Sequence, residues 1–224
     1  MRPAILWEDE LVIPADSGRI DAFREWARSD AFPERGRIDF LDGTLEIDMS
    51  PEELQSHGAL KSELHAALHR RVKAENLGQL FIDRARLSND RAGLSCEPDL
   101  LLISLKALRE GRSRYLSGSR PERLIEIEGS AALVVEILSD SSAGKDRKRL
   151  PPLYAAAGVE ELWLVDARSG EISFHLCHLV DGEFRSAPTT EDGFAYSRVL
   201  DRHYRIRREP WEFPGTWSYQ IDER

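Results

Sequence analysis

The sequence predicts an α/β fold, with a central mixed β-sheet flanked by helices, an extra helix and hairpin on the N-terminal side, and β-hairpins on the C-terminal side. Three observations carry this. Residues 131–138 are an apolar run broken only by Glu136, the pattern of a strand buried on both faces. Residues 17–30 place Ile20, Phe23, Trp26 and Ala27 at helical spacing. The element order (helix, hairpin, long helix, strands, helix, strand, hairpins) is that of a mixed sheet with helices packed against it.

Each element has a local reason. Residues 37–49 alternate apolar and polar about Asp42-Gly43, a hairpin signature. Ser50-Pro51-Glu52-Glu53 reads as a capping box with proline in the first turn, opening a helix that runs to about Glu75 before Asn76-Leu77-Gly78 ends it. Residues 79–85 and 99–103 read as strands. Residues 106–123, rich in Arg, Ser and Gly, read as an exposed insertion. After the Glu136 strand come a loop at 139–144, a short helix ending at Gly158, a strand at 161–166, and short strands around Gly170, Gly182 and Gly193. An aromatic tail, 206–224, carries Trp211, Phe213, Trp217 and Tyr219.

Bulk properties narrow the class. A chain of 224 residues suits one domain, 1–224, with a full core. No stretch approaches the roughly 18 apolar residues of a membrane span, and the opening segment reads as too short and acidic for a signal peptide. Cys96 and Cys177 have neither metal-ligand spacing nor a disulfide framework, which points to a reducing, cytoplasmic setting. The net charge of -9 gives no general attraction to nucleic acid. Only five of the 31 basic residues are lysines, namely Lys61, Lys73, Lys106, Lys145 and Lys148, so chemistry that needs a lysine has few candidates.

An ionised carboxylate inside a buried strand is costly unless paired or bound to a cation. Glu136 is one such group, and Asp99, after Pro98 at the mouth of a second apolar run, is another. Neighbouring strands holding both could grip a divalent metal; equally, Asp99 could be a turn residue and Glu136 the partner of an arginine. His57 falls on the same helical face as Leu60, Leu64 and Leu68, and reads either as a site residue or as a partly buried capping histidine. His65 and His69 have zinc-helix spacing but lie off that stripe without the metalloprotease glutamate, and read as surface residues. Ser139, Ser141 and Ser142 read as loop caps and supporting donors, since no histidine lies near them in sequence.

Residues 133–142, Lys145-Asp146 and residues 154–166, with Pro98-Asp99 and His57 upstream, resemble the Uma-two family of restriction-endonuclease-like proteins over roughly 37–205. The resemblance implies a PD-(D/E)XK nuclease core, in which Asp99 and Glu136 hold Mg²⁺ (or Mn²⁺) and a lysine orients or activates the attacking water. Two positions depart from the family. The residue two after Glu136, where the plain motif has lysine, is Leu138, and the position four before the helix tyrosine, where many members have lysine, is Leu150. Pro151 and Pro152 disfavour helix through Leu150. The site lysine is then Lys145 or Lys148, with Lys145 preferred as an exposed lysine, of little weight in folding, on the loop that leaves the metal strand.

The expectation is a Mg²⁺-dependent endonuclease acting on DNA, with Asp99 and Glu136 as metal ligands, Lys145 as water-orienting base or electrostatic stabiliser, and His57 as an accessory residue. Its rivals are a catalytically silent DNA- or protein-binding module and a metal-dependent hydrolase of a small phosphate ester. A basic stripe of Arg84, Arg86, Arg112, Arg114 and Arg147 would favour DNA; a narrow acidic pocket would favour a small substrate. The aromatic tail, falling outside any amphipathic period, predicts a homodimer, unless it folds over its own sheet edge.

Overall fold

The structure, a computed structural model, describes residues 11–224; the opening segment read above against a signal peptide lies outside them. Among the described residues no helix is long and apolar enough to cross a membrane.

Sheet residues divide over two six-stranded sheets and one of three strands. The first joins β1 (Arg37–Leu41), β2 (Thr44–Asp48), β4 (Arg86–Asn89), β5 (Leu94–Cys96), β7 (Ser113–Ser117) and β8 (Leu124–Gly129) in the order β2-β1-β5-β4-β8-β7. The second orders β12 (Glu183–Ser186), β11 (Ser173–Val180), β10 (Glu161–Asp166), β9 (Leu133–Ile137), β6 (Leu100–Ser104) and β3 (Gly78–Ile82). Both are mixed, with the parallel pairs β4–β8 and β9–β10. The third orders β13 (Ala195–Ser197), β14 (Arg202–Pro210) and β15 (Trp217–Glu223).

The sheet containing β9 is the centre of the molecule. One face packs Leu133, Val135 and Ile137 against Leu60, Leu64 and Leu68 of α2 (Leu60–Ala74) and against Tyr204 and Tyr219 of the three-stranded sheet. The other face packs Leu101 and Val134 against Leu87, Leu94 and Cys96 of the first sheet and Tyr154 of α4 (Leu150–Ala156). A strand so enclosed must be apolar on both sides, which is why 131–138 reads as it does. On the outside of the first sheet, α1 (Ile20–Ala27) seals Phe23 and Trp26 over Ile38 and Phe40. Buried Arg24 fixes that helix by donating to Glu126, Glu128 and Asp90, each at 2.6 Å.

Asp42 and Gly43 both have positive φ, the type I′ geometry that joins β1 to β2, and Asp181-Gly182 repeats it between β11 and β12. Other expectations require correction. The capping residue is Glu53, not Ser50: its carboxylate accepts from the N–H groups of Gln55 and Ser56, and a π-helical turn, Leu54–Ala59, then leads into α2. The 106–123 stretch is largely exposed, as read, but it is regular structure and not an insertion. It forms α3 (Leu105–Arg109) and β7, and buries Ala107 and Ser113, because β7 completes the edge of the first sheet. The chain is also helical through Leu150. A second π-helical turn, Lys145–Arg149, precedes α4, with the Leu150 N–H returning to the Lys145 carbonyl. Pro151 and Pro152 have no N–H to offer the carbonyls one turn back, so they sit in the first turn of α4 and the chain enters through a wider turn.

Candidate active site

The β6–β9 pairing is antiparallel with Leu100 opposite Val135, which brings Asp99 opposite Glu136 on one face of the central sheet. Directly opposed side chains keep their Cβ atoms about 4.5–5.5 Å apart. Asp99 Oδ2 also accepts the N–H of Ile137 at 2.8 Å, tying it to the backbone beside Glu136. Both carboxylates are nearly inaccessible, Asp99 at 1% and Glu136 at 2%.

Their partners differ, and their pKa values shift in opposite directions. Asp99 Oδ1 accepts from Arg37 Nη2 at 3.1 Å, and His57 Nε2 lies 3.3 Å from Oδ2. Burial works against its ionisation, but His57, Arg37 and the Ile137 N–H outweigh that and hold it well below the usual carboxylate range. Glu136 accepts from the Tyr154 hydroxyl at 2.5 Å, whose oxygen lies 3.3 Å from Cys96 Sγ. That is insufficient: burial, then the charges of Asp146 and Asp99, push Glu136 well above its ordinary value. Asp146, buried in the π turn and accepting from Ser142 Oγ at 2.5 Å, is raised by burial to about 6.

His57 sits in the first π turn, where its ring meets two acids. Nδ1 is 2.7 Å from Glu52 Oε1, opposite the Asp99 contact at Nε2. Burial disfavours the charged ring, yet the two carboxylates raise its pKa. Lys61, one turn on, donates to Glu52 at 2.5 Å and Asp83 at 2.7 Å, so Asp83, Lys61, Glu52, His57 and Asp99 form one continuous chain. Lys145 does not lie exposed on a loop, as expected. It donates to Asp39 Oδ2 at 3.0 Å with its side chain 9% accessible. Burial lowers its pKa, but Asp39, Glu136 and Asp146 raise it further. A lysine so placed is held protonated, which suits donation toward negative charge. Lys148 is exposed.

A cavity of about 550 Å³ lies over this cluster, with Arg37, His57, Lys61, Glu52, Asp48 and Ser142 in its walls. A second, of about 310 Å³, shares Arg37, Asp48 and Ser142 with it and reaches Lys145 and Asp39. Asp99 lies directly behind Arg37 and His57. Among the described residues, no three His, Cys, Asp or Glu side chains form a ready cation cage. Mg²⁺ needs none, since it keeps several waters and takes one or two carboxylates. Oxygen donors, and a buried carboxylate whose charge its surroundings leave unbalanced, fit such an ion.

The basic stripe that would favour DNA does not form. Arg86 is buried and paired to Glu97, Arg112 meets Glu110 and Glu160, Arg114 meets Glu128, and Arg147 meets Asp166. Of the five arginines only Arg84 lines the larger cavity, where Asp48, Glu52, Glu53, Asp83, Glu97 and Asp140 predominate. Each of the other four meets an acid elsewhere, so no continuous positive track arises.

Residues 20–201 match the model of the Uma2 family, described as "Putative restriction endonuclease". The chain belongs to this family. A solved structure titled a "putative nuclease belonging to DUF820", from Anabaena variabilis, shares the fold with a TM-score of 0.60 and 16% identity, over 82% of this chain and 90% of that one. Among curated proteins, none matches the chain. Leu138 and Leu150, the two positions at which the resemblance implied a lysine, are both buried and apolar here. Reading the residues alone missed Arg37 and Asp39, and named Lys61 only among the chain's five lysines. Asp39 carried a signal, a charge facing inward between Ile38 and Phe40 of a strand that is almost wholly buried.

Proposed function

We propose that this Uma2 protein is a divalent-cation-dependent nuclease that hydrolyses DNA phosphodiester bonds. The observation that carries the reading is Glu136, a buried carboxylate opposite Asp99 whose charge lacks a sufficient protein counter-ion, with the Lys145 ammonium close by. Asp99 and Glu136 would hold Mg²⁺ or Mn²⁺, which when bound neutralises charge on a scissile phosphate and lowers the pKa of water. Lys145, fixed by Asp39, donates toward negative charge as it develops. His57, held between Glu52 and Asp99, keeps Asp99 ionised and its carboxylate oriented. Arg37 does the same from the opposite oxygen and offers its remaining N–H groups to a phosphate.

The acidic lining of the cavity favours a second reading, hydrolysis of a small phosphate ester. One experiment tests both: supercoiled plasmid, single-stranded DNA and bis(p-nitrophenyl) phosphate are each incubated with EDTA, Mg²⁺ or Mn²⁺, beside Glu136→Gln. Cutting of DNA that requires the metal and Glu136 supports the nuclease. Turnover of the small ester alone supports the second reading, and indifference to metal removes both.

A further inference from the structure

A third pocket, of about 350 Å³, opens where β3 and β7, the outer strands of the two large sheets, come together. Phe81 and Ala85 line it from one side, and Tyr115, Leu124 and Ile125 from the other. It shares Asp83 and Arg84 with the cavity over the candidate site, so the two adjoin at that pair. Both residues have a φ of 50°, a conformation that non-glycine residues seldom adopt. The corner is held in place from several sides. The Asp83 N–H donates to the carbonyl of Asp99 at 3.1 Å, the Asp83 carboxylate takes Lys61, and Arg84 donates to the Glu34 carbonyl. A strained corner tied to the backbone of Asp99 therefore lies where an acidic cavity adjoins an apolar one.

The chemistry of the apolar side is specific. Phe81 and Tyr115 meet edge to face at 6.2 Å, and both rings are partly accessible. The Tyr115 hydroxyl donates to Gln79 Oε1 at 3.2 Å, and the Gln79 amide nitrogen has no hydrogen-bond partner among the described residues. Charges at the floor are already matched: Glu126 accepts from Arg24 and Arg28, and Arg86 donates to Glu97. Leu124 stays 59% exposed at the rim. An apolar slot with two aromatic rings, one free amide donor and an arginine at its mouth suits a nucleobase. The rings take its π face, the amide its polar edge, and Arg84 the flanking phosphate. The volume falls within the about 300–1,000 Å³ of small-ligand sites.

We propose that this pocket is a nucleobase subsite, which holds one unstacked base of a DNA strand while the adjoining phosphate lies in the cavity lined by Arg37 and His57, in front of Asp99; the proposal rests on the nuclease reading. A base within a duplex cannot enter without leaving the stack, so the enzyme prefers single-stranded or splayed DNA.

The test uses the full chain with Ca²⁺ in place of Mg²⁺, and a single-stranded oligonucleotide carrying 2-aminopurine or an abasic site at successive positions. Anisotropy and 2-aminopurine fluorescence are read for the wild type and for Tyr115→Leu, Gln79→Ala and Leu124→Ser. Gln79 and Leu124 are exposed, so those two variants fold as the wild type does. The expected result is quenching of 2-aminopurine at one position, loss of affinity by about tenfold when that position is abasic, and a similar loss in Tyr115→Leu. Equal affinity for intact and abasic strands, with all three variants unchanged, overturns the subsite and leaves the nuclease standing. A Leu124→Ser variant that changes only the solution mass assigns the pocket to a second copy of the chain and also overturns it. A wild type that neither binds nor cuts DNA with any of these cations removes both proposals.

Discussion

Lys145 and Asp39 form a buried ion pair at 3.0 Å, with side chains 9% and 2% accessible, linking the turn before α4 to the first strand. Removing one member of such a pair strands the other charge in a dry environment, at a cost of about 3–5 kcal/mol. Lys145→Ala is therefore expected to lose DNA cleavage and also a large part of its stability in urea unfolding, which corrects the expectation of an exposed loop lysine with little bearing on folding. Lys145→Ala combined with Asp39→Asn should recover stability but not cleavage. Lys148→Ala should stay within about 0.5 kcal/mol of wild type in stability and keep its activity. A Lys145→Ala protein as stable as wild type would contradict this account.

Glu136 presents the reverse case, because its charge burdens the metal-free fold. Glu136→Gln keeps an acceptor for the Tyr154 hydroxyl while removing that charge. Without metal it should melt above the wild type, and Mg²⁺ or Mn²⁺, which should raise the wild-type melting temperature, should leave the variant unmoved. Differential scanning calorimetry with and without each cation reads both effects. Equal cation shifts in the two proteins would place the ion elsewhere.

Asp146 supplies a pH dependence with a defined sign. Its carboxyl is raised by burial from 3.8 to about 6, so between those values the folded chain binds more protons than the unfolded one. Stability from this group is then present at low pH and falls as pH rises through 6. The metal-free wild type should lose stability over that window, and Asp146→Asn should flatten the slope. His57, raised by Asp99 and Glu52, contributes stability below its unfolded pKa and loses it at higher pH. Urea midpoints from pH 4 to 8 in EDTA distinguish the two, because Asp146→Asn should leave the upper limb intact. An unchanged slope in that variant would dismiss Asp146 as its source.

The aromatic tail divides into two halves. Tyr219 is buried and Trp217 packs on its own sheet, whereas Trp211 and Phe213 remain 55% and 61% exposed, edge to face with each other. We propose that this exposed pair is the anchor of a two-fold dimer. Light scattering at micromolar concentration should give twice the 25.5 kDa chain mass, and Trp211→Ser with Phe213→Ser should give the single value. A wild type that scatters as one chain would leave the tail as a cover for its own sheet.

Much of this molecule is legible wherever one residue's burial is dictated by its own neighbours. The Glu136 strand, the hairpin at Asp42-Gly43, the strand at 161–166 and the stripe of α2 all follow from local periodicity. Strands β4 and β5 do not, because four and three residues are too few to show a period. The π turns escape for a related reason: each depends on how a helix is entered, through a Glu53 cap in one case and two prolines in the other.

By itself, the sequence determined the α/β class, the family, and Glu136 as an acid inside a buried strand, with Asp99 at the mouth of a neighbouring apolar run; the burial of Asp99 was decided by the tertiary structure. Only the tertiary structure decided that Arg37 and His57 hold Asp99, that Asp39 anchors Lys145, and that Lys61 ties Glu52 to Asp83. These contacts join positions from 22 to 106 residues apart, except for those Glu52 makes. Which charges meet across such distances depends on sheet register and layer packing, and no local pattern encodes either.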